Sequence, residues 1–146
     1  MLAVHQTRYL PDAPATEALS VELAAQLRPM SFVHLEGELG AGKSTLARGM
    51  LRAWGVVGSV RSPTYTLIET YETKIGTVHH LDLYRLGDTE ELHYLGLDDL
   101  LTQDAVWLIE WPDVAEGYMP VPDWHISLVY DGEARQAEWR HYYRVK

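Results

Sequence analysis

The segment Gly37-Glu38-Leu39-Gly40-Ala41-Gly42-Lys43-Ser44 fits the spacing G-x-x-x-x-G-K-[S/T]. Glycines so spaced let consecutive backbone N–H groups turn toward one centre and form an anion-binding nest. A helix starting at the end of the segment aims its N-terminal partial positive charge at the same centre. Lys43 is then placed to reach the outer phosphates of a nucleotide, and the Ser44 hydroxyl to ligand Mg²⁺. A cradle of this kind only binds. Hydrolysis or transfer also needs acids, to hold the metal and to place the attacking group.

Two acids are candidates. Glu110 ends the apolar run Ala105-Val106-Trp107-Leu108-Ile109, and a carboxylate closing such a strand is the layout that holds Mg²⁺ directly or through water. Asp82 lies in His79-His80-Leu81-Asp82-Leu83-Tyr84-Arg85. The plainer alternatives are a surface acid at a strand end for Glu110 and a turn cap for Asp82. His80 stands two residues before Asp82 and so shares its strand face, as a structural histidine or as a support for Asp82. The pair has no further ligands at zinc-binding spacing. Ser62-Pro63-Thr64 is either a loop that responds to a γ-phosphate or a simple proline kink. Arg61 and Arg85 either face developing phosphate charge or solvate the surface. Trp111, next to Glu110, is either core or a stacking and docking aromatic.

The surrounding pattern supplies elements to position these residues. Strands are expected at Val4–Tyr9 and Ser31–Glu36, the latter feeding the glycine-rich loop. Pro11 and Pro14 are expected to break the chain, with Thr16 capping a helix whose apolar positions are Ala18, Leu19, Leu23 and Leu27. A second helix runs Lys43 to Ala53, with Leu46, Met50 and Trp54 on one stripe. Tyr65–Tyr71 and Thr77–Leu83 form a hairpin around Lys74-Ile75-Gly76. A helical region from Asp88 to Leu101 is interrupted at Gly96. Trp124–Tyr130 and Arg135–Val145 form a second hairpin about Asp131-Gly132-Glu133. Two hairpins make the expected sheet mixed. The predicted fold class is α/β, a P-loop NTPase-like three-layer sandwich with a mixed, partly antiparallel central sheet.

With 146 residues the chain is expected to be one domain, 1–146, with a substantial core. There is no cysteine, so disulfides and thiolate chemistry are excluded. No apolar run reaches the roughly 18 residues of a membrane span, and the start lacks a signal-peptide pattern; a cytoplasmic location and no membrane association are expected. A net charge of −9 disfavours extensive direct binding to nucleic acid.

Taken together and in order, Gly-Glu-Leu-Gly-Ala-Gly-Lys-Ser-Thr, Ser-Pro-Thr-Tyr-Thr-Leu, His-x-Asp-Leu-Tyr-Arg-Leu and Ile-Glu-Trp-Pro resemble the TsaE (YjeE) family from about Thr16 to about Pro122. The family comprises small bacterial ATPases of the tRNA threonylcarbamoyladenosine pathway. The resemblance implies a Mg²⁺-dependent ATPase that acts with the TsaD and TsaB proteins and supports turnover of their threonylcarbamoyl-transfer complex. It places Gly37, Glu38, Leu39, Gly40, Ala41, Gly42, Lys43, Ser44 and Thr45 around the ATP phosphates and Thr16 near the adenine. Ser44 and Glu110 become the Mg²⁺ ligands, with Lys43, Asp82 and Glu110 as the catalytic set. Ser62, Pro63 and Thr64 become the switch-like loop, and Trp111 a functional aromatic. Glu38 stands where the family commonly has Asp, Ser44 where Thr is usual and Leu81 where Phe is usual. Ser44 keeps the hydroxyl.

A small P-loop kinase of a metabolite or nucleoside is the alternative, but no clustered lid arginines appear among 12 lysines and arginines. A GTPase switch lacks both Asn-Lys-x-Asp and Asp-x-x-Gly. A passive nucleotide-binding module leaves Asp82 and Glu110 without a purpose.

Overall fold

The computed structural model describes residues 2–64 and 66–143. Its seven strands and four helices follow in chain order β1 (Leu2–Leu10), α1 (Ala13–Gln26), β2 (Phe32–Glu36), α2 (Lys43–Ala53), β3 (Ile68–Thr73), β4 (Gly76–Asp82), α3 (Glu90–Tyr94), α4 (Leu97–Leu100), β5 (Val106–Glu110), β6 (Trp124–Asp131) and β7 (Ala134–Tyr143). A 3₁₀ turn, Pro112–Ala115, leaves β5.

The strands form one sheet in the order β1-β7-β6-β2-β5-β4-β3. The central four, β6, β2, β5 and β4, are mutually parallel, and β1, β7 and β3 pair antiparallel at the margins. The sheet is therefore mixed, as expected, with the glycine-rich loop leaving its centre. Parallel strands covered on both faces need apolar side chains on both. β5 shows this: all five of its residues are buried. Its Val106 and Leu108 join the core under α1 and α2, while Trp107 and Ile109 join a second core with Leu92 and Leu97 of α3 and α4. These are the two sides of a three-layer sandwich.

α2 occupies the predicted span and buries Leu46, Met50 and Trp54. α1 begins earlier than predicted. Asp12, not Thr16, is the N-cap, accepting a hydrogen bond from the Ala15 N–H at 2.9 Å. Pro14 sits inside the first turn, where its missing N–H costs nothing, rather than breaking the chain. The helix phase places Thr16, Leu19, Ser20 and Leu23 inward and leaves Ala18 exposed. The strand expected from Tyr65 begins at Ile68, because the Leu67 N–H closes a turn onto the Pro63 carbonyl (2.8 Å). Tyr65 itself, and the end of the last predicted strand at Arg144 and Val145, lie outside the described residues. The helical region interrupts at Gly96, whose φ of 74° separates α3 from α4. Among the described residues no helix is long and apolar enough to cross a membrane.

Candidate functional site

β2, β4 and β5 end side by side. Asp82 is the register partner of Glu110, and Leu35 pairs with Glu110 on the other side. The carboxyl edge of the parallel block, where α/β sheets collect ligands, therefore carries both candidate acids next to the loop that leaves β2.

That loop depends on glycine. Gly37 has φ 152° and a Cβ there would lie 2.5 Å from the Leu128 carbonyl oxygen. Gly40 has φ 78°, and a Cβ would meet the Tyr130 hydroxyl at 2.7 Å. Both positions combine a conformation unfavourable to other residues with contact to β6. The loop then enters α2 through Gly42, and the first-turn N–H groups of the helix have no carbonyl of a preceding turn to bond.

A cleft of about 300 Å³ opens above it, lined among others by Gly42, Lys43, Ser44, Thr64, Asp82 and Glu110, with Leu39, Gly40, Thr45, Tyr84, Arg85 and Trp111 completing the walls. Lys43 is only 5% exposed, and its ammonium donates to the carbonyls of Gly37 and Glu38. Burial pushes its pKa down, opposed by the nearby carboxylates of Glu110 and Asp82. The Ser44 hydroxyl faces Glu110 at 3.2 and 3.3 Å from its two carboxylate oxygens. Thr64 donates to Asp82 at 3.4 Å, and the Ser62 and Thr64 hydroxyls are 2.7 Å apart. The Tyr84 N–H fixes the other Asp82 oxygen at 3.0 Å. The Ser62-Pro63-Thr64 loop thus reaches the cleft through Thr64, with Pro63 buried beneath.

His80 does not support Asp82. Its Nε2 lies 2.6 Å from Glu110 Oε2, with both side chains almost wholly buried, because β4 and β5 are neighbours. Glu110 is therefore held from beneath by His80 and from above by Ser44. Trp111 adopts φ 57°, a left-handed conformation that costs a residue of this size of order 1–3 kcal/mol. The turn carries its ring to 4.3 Å from the Lys43 ammonium and to 4.9 Å from the ring of Tyr84.

Thr16 is buried in a separate depression behind the loop, with Asp12, Gly40, Gly42, Thr45, Glu133 and Arg135 among its neighbours. Arg85 lines the main cleft, whereas Arg61 does not; its N–H donates to the Tyr71 hydroxyl. Two residues that the motifs do not mark also hold the loop. The Tyr130 hydroxyl donates to the Leu39 carbonyl at 2.5 Å, and Arg135 donates to the Gly40 carbonyl at 3.3 Å. Arg135 also stacks on the Tyr130 ring at 4.2 Å. Their only sequence signal is the hairpin itself, with Tyr130 and Arg135 flanking its turn.

The oxygen donors Ser44 and Glu110 suit a hard divalent cation. Among the described residues no group of three or more His, Cys, Asp or Glu side chains could hold a metal ion by itself. One hydroxyl and one carboxylate are donors of the kind that hold Mg²⁺, which is commonly bound by one or two protein oxygens together with phosphates and water.

The family model of the threonylcarbamoyl adenosine biosynthesis protein TsaE matches residues 10–138. The tRNA threonylcarbamoyladenosine biosynthesis protein TsaE of Haemophilus influenzae is 40% identical over 137 residues, covering 90% of this chain and 87% of the relative. The protein of the same name in Bacillus subtilis is 37% identical over 105 residues, covering 72% and 65%. The crystal structure of Bacillus subtilis YdiB superposes with a TM-score of 0.79 at 26% identity, covering 97% of this chain and 88% of that one. The chain belongs to the TsaE family, whose role is in the biosynthesis of threonylcarbamoyladenosine in tRNA.

Proposed function

We propose that this chain is a Mg²⁺-dependent ATPase of tRNA threonylcarbamoyladenosine biosynthesis and acts in the cytoplasm with the TsaD and TsaB proteins. The observation that carries the ATPase reading is the convergence, in one cleft, of the Ser44 hydroxyl and the Glu110 carboxylate at 3.2 Å with Lys43 and Asp82 beside them. The nest from Gly37 to Thr45 binds the phosphates, and Lys43 exchanges the Gly37 and Glu38 carbonyls for phosphate oxygens. Ser44 and Glu110 hold Mg²⁺, which when bound neutralises charge on the phosphates. Asp82, oriented by the Tyr84 N–H, faces the same cleft from β4 and orients the attacking water through its outer oxygen. Thr64, hydrogen-bonded to Asp82, couples the Ser62-Pro63-Thr64 loop to the occupancy of that site. Thr16 lies toward the base, and Trp111 covers Lys43.

The partner reading rests on the family and on the net charge of −9, which disfavours extensive direct binding to tRNA. The test is ATP hydrolysis with and without Mg²⁺ and with and without TsaD and TsaB, alongside GTP. Slow turnover of ATP alone, accelerated by the partners and abolished in Lys43→Ala, is expected. Normal turnover in Lys43→Ala, or phosphate transfer to a small metabolite, would refute the reading.

A further inference from the structure

A second cleft, about 440 Å³ in volume, lies beside the phosphate cleft and shares Trp111 as a wall. The Gly37–Glu38 limb of the loop forms one side. Leu128, Val129 and Tyr130 of β6 form another, and Trp111, Pro112 and Asp113 a third. The walls are thus largely apolar, and the rim carries three carboxylates, Glu36, Glu38 and Asp113. Glu36 is paired with His125 at 3.0 Å, whereas Glu38 and Asp113 stand exposed. The apolar wall is open to solvent: Val129 is 55% exposed and Tyr130 is exposed as well, as is Val114, the chain neighbour of Asp113.

Charge is segregated along the chain in the same sense. None of its 12 lysines and arginines falls between Arg85 and Arg135, the stretch that supplies β5, β6 and the 3₁₀ turn, whereas Asp88, Glu90, Glu91, Asp98, Asp99 and Asp113 do, among others. An apolar cleft whose rim keeps two exposed carboxylates, Glu38 and Asp113, beside the His125-paired Glu36 and the Arg135 stacked on Tyr130, favours cations over phosphate-rich ligands. Exposed apolar side chains in the wall of an open cleft suit contact with a polypeptide.

We infer that this cleft is a docking site for a protein segment in which lysine or arginine side chains stand among apolar ones. The inference rests on the partner-dependent reading above and adds the surface through which the partner engages. An occupant touches Trp111, whose ring covers the Lys43 ammonium, and also the limb whose Gly37 and Glu38 carbonyls accept from that ammonium. Docking therefore bears on the contacts that Lys43 must exchange for phosphate.

The test uses Asp113→Lys combined with Val129→Lys, and Val129→Ala as a milder second variant. Binding of the purified TsaD–TsaB pair to the full chain with Mg²⁺ and ATP is measured by surface plasmon resonance, and ATP affinity of the lone chain by calorimetry. The expected result is association weakened tenfold or more in the double variant and less in Val129→Ala, with ATP affinity of the lone chain unchanged. Unweakened association would overturn the docking surface while leaving the partner reading intact. ATP affinity falling in parallel would make the cleft the base pocket and overturn the proposal. Loss confined to binding of added tRNA would also overturn it. A wild-type chain that fails to bind the pair would overturn the partner reading and the surface together.

Discussion

Replacing His80 tests how Glu110 is held. His80→Leu keeps much of the side-chain volume, so the change is mainly the loss of the 2.6 Å contact with a carboxylate that is only 2% exposed. A hydrogen bond to a charged group contributes about 1.5–3 kcal/mol, and removing one partner of a buried pair costs up to about 3–5 kcal/mol. Part of this is offset, because His80 Nδ1 is buried without a hydrogen-bond partner and the variant removes that group as well, worth about 1 kcal/mol. The net expectation is a loss of about 1–3 kcal/mol, or roughly 3–10 °C in melting temperature for a domain of this size. His80→Leu with Glu110→Leu, which removes both polar partners, should recover at least half of that loss. Thermal denaturation of the four members of the cycle reads stability. Mg²⁺ affinity in the presence of ATP reads the site, and it should fall about tenfold in His80→Leu, as when other supports of metal-binding carboxylates are removed. A single variant as stable as wild type to within about 0.5 kcal/mol, with unchanged Mg²⁺ affinity, would refute the idea that His80 positions Glu110.

Three further outcomes are expected. Glu110→Gln keeps hydrogen-bonding capacity toward His80 and Ser44 and so should fold normally, but lose Mg²⁺-dependent ATP turnover more than nucleotide binding; normal values of both would remove Glu110 from the metal site. Gly49→Ala would bring a methyl group onto the Ser20 hydroxyl and to 2.7 Å from the Ser20 Cβ where α1 and α2 pack; overlap costing about 1–3 kcal/mol outweighs a helix-propensity gain of up to about 1 kcal/mol, so the melting temperature falls by several degrees and Ser20→Gly restores it, unless the helices separate without cost. Burial lowers the pKa values of His34, His79 and His141 below the ordinary value near 6.5, so the unfolded chain binds more protons than the folded one just below that value. Their contribution to stability is therefore full above about pH 6.5 and is lost as pH falls toward the folded values; the urea midpoint should drop between pH 7.5 and 5.5, His79→Asn should flatten the slope, and a midpoint independent of pH would contradict the assignment.

The parts of the site legible in the sequence are those carried by local spacing. The loop from Gly37 to Ser44 and the helix after it are contiguous, and α2 occupies the span its pattern predicts. The β5 strand was visible because burial on both faces demands an unbroken apolar run. Local ambiguity explains the displaced elements. Pro14 is compatible with a break or with a first helical turn, and only the Asp12 cap decides between them. The apolar alternation around Leu67 suits a strand, but Leu67 adopts φ 67° in a turn instead. The partner of His80 was illegible for another reason. Asp82 is two residues away and Glu110 thirty, and the choice depends on β4 and β5 being sheet neighbours. The same holds for Tyr130 and Arg135, which reach the loop from 91 and 95 residues away.

These long-range contacts change what the net charge of −9 means for an anion site. Summed over the chain, it argues against phosphate-rich partners, yet the glycine-rich loop proposed to cradle phosphate leaves the centre of the sheet. The side chains lining that cleft include two cations, Lys43 and Arg85, and two anions, Asp82 and Glu110, so they give a highly charged phosphate group no net attraction. What would favour the anion locally, beside the Mg²⁺ proposed there, is oriented backbone: the nest and the N-terminus of α2, held in place by glycines against β6 and by Tyr130 and Arg135. Fixed dipoles act over a few ångströms, whereas exposed side-chain charges act over a Debye length, about 8 Å at physiological salt. The proposed short-range affinity for phosphate is therefore compatible with a net charge that disfavours extensive nucleic-acid binding. The same separation of ranges leaves the exposed Glu38 and Asp113 available to a basic protein segment beside the proposed nucleotide site.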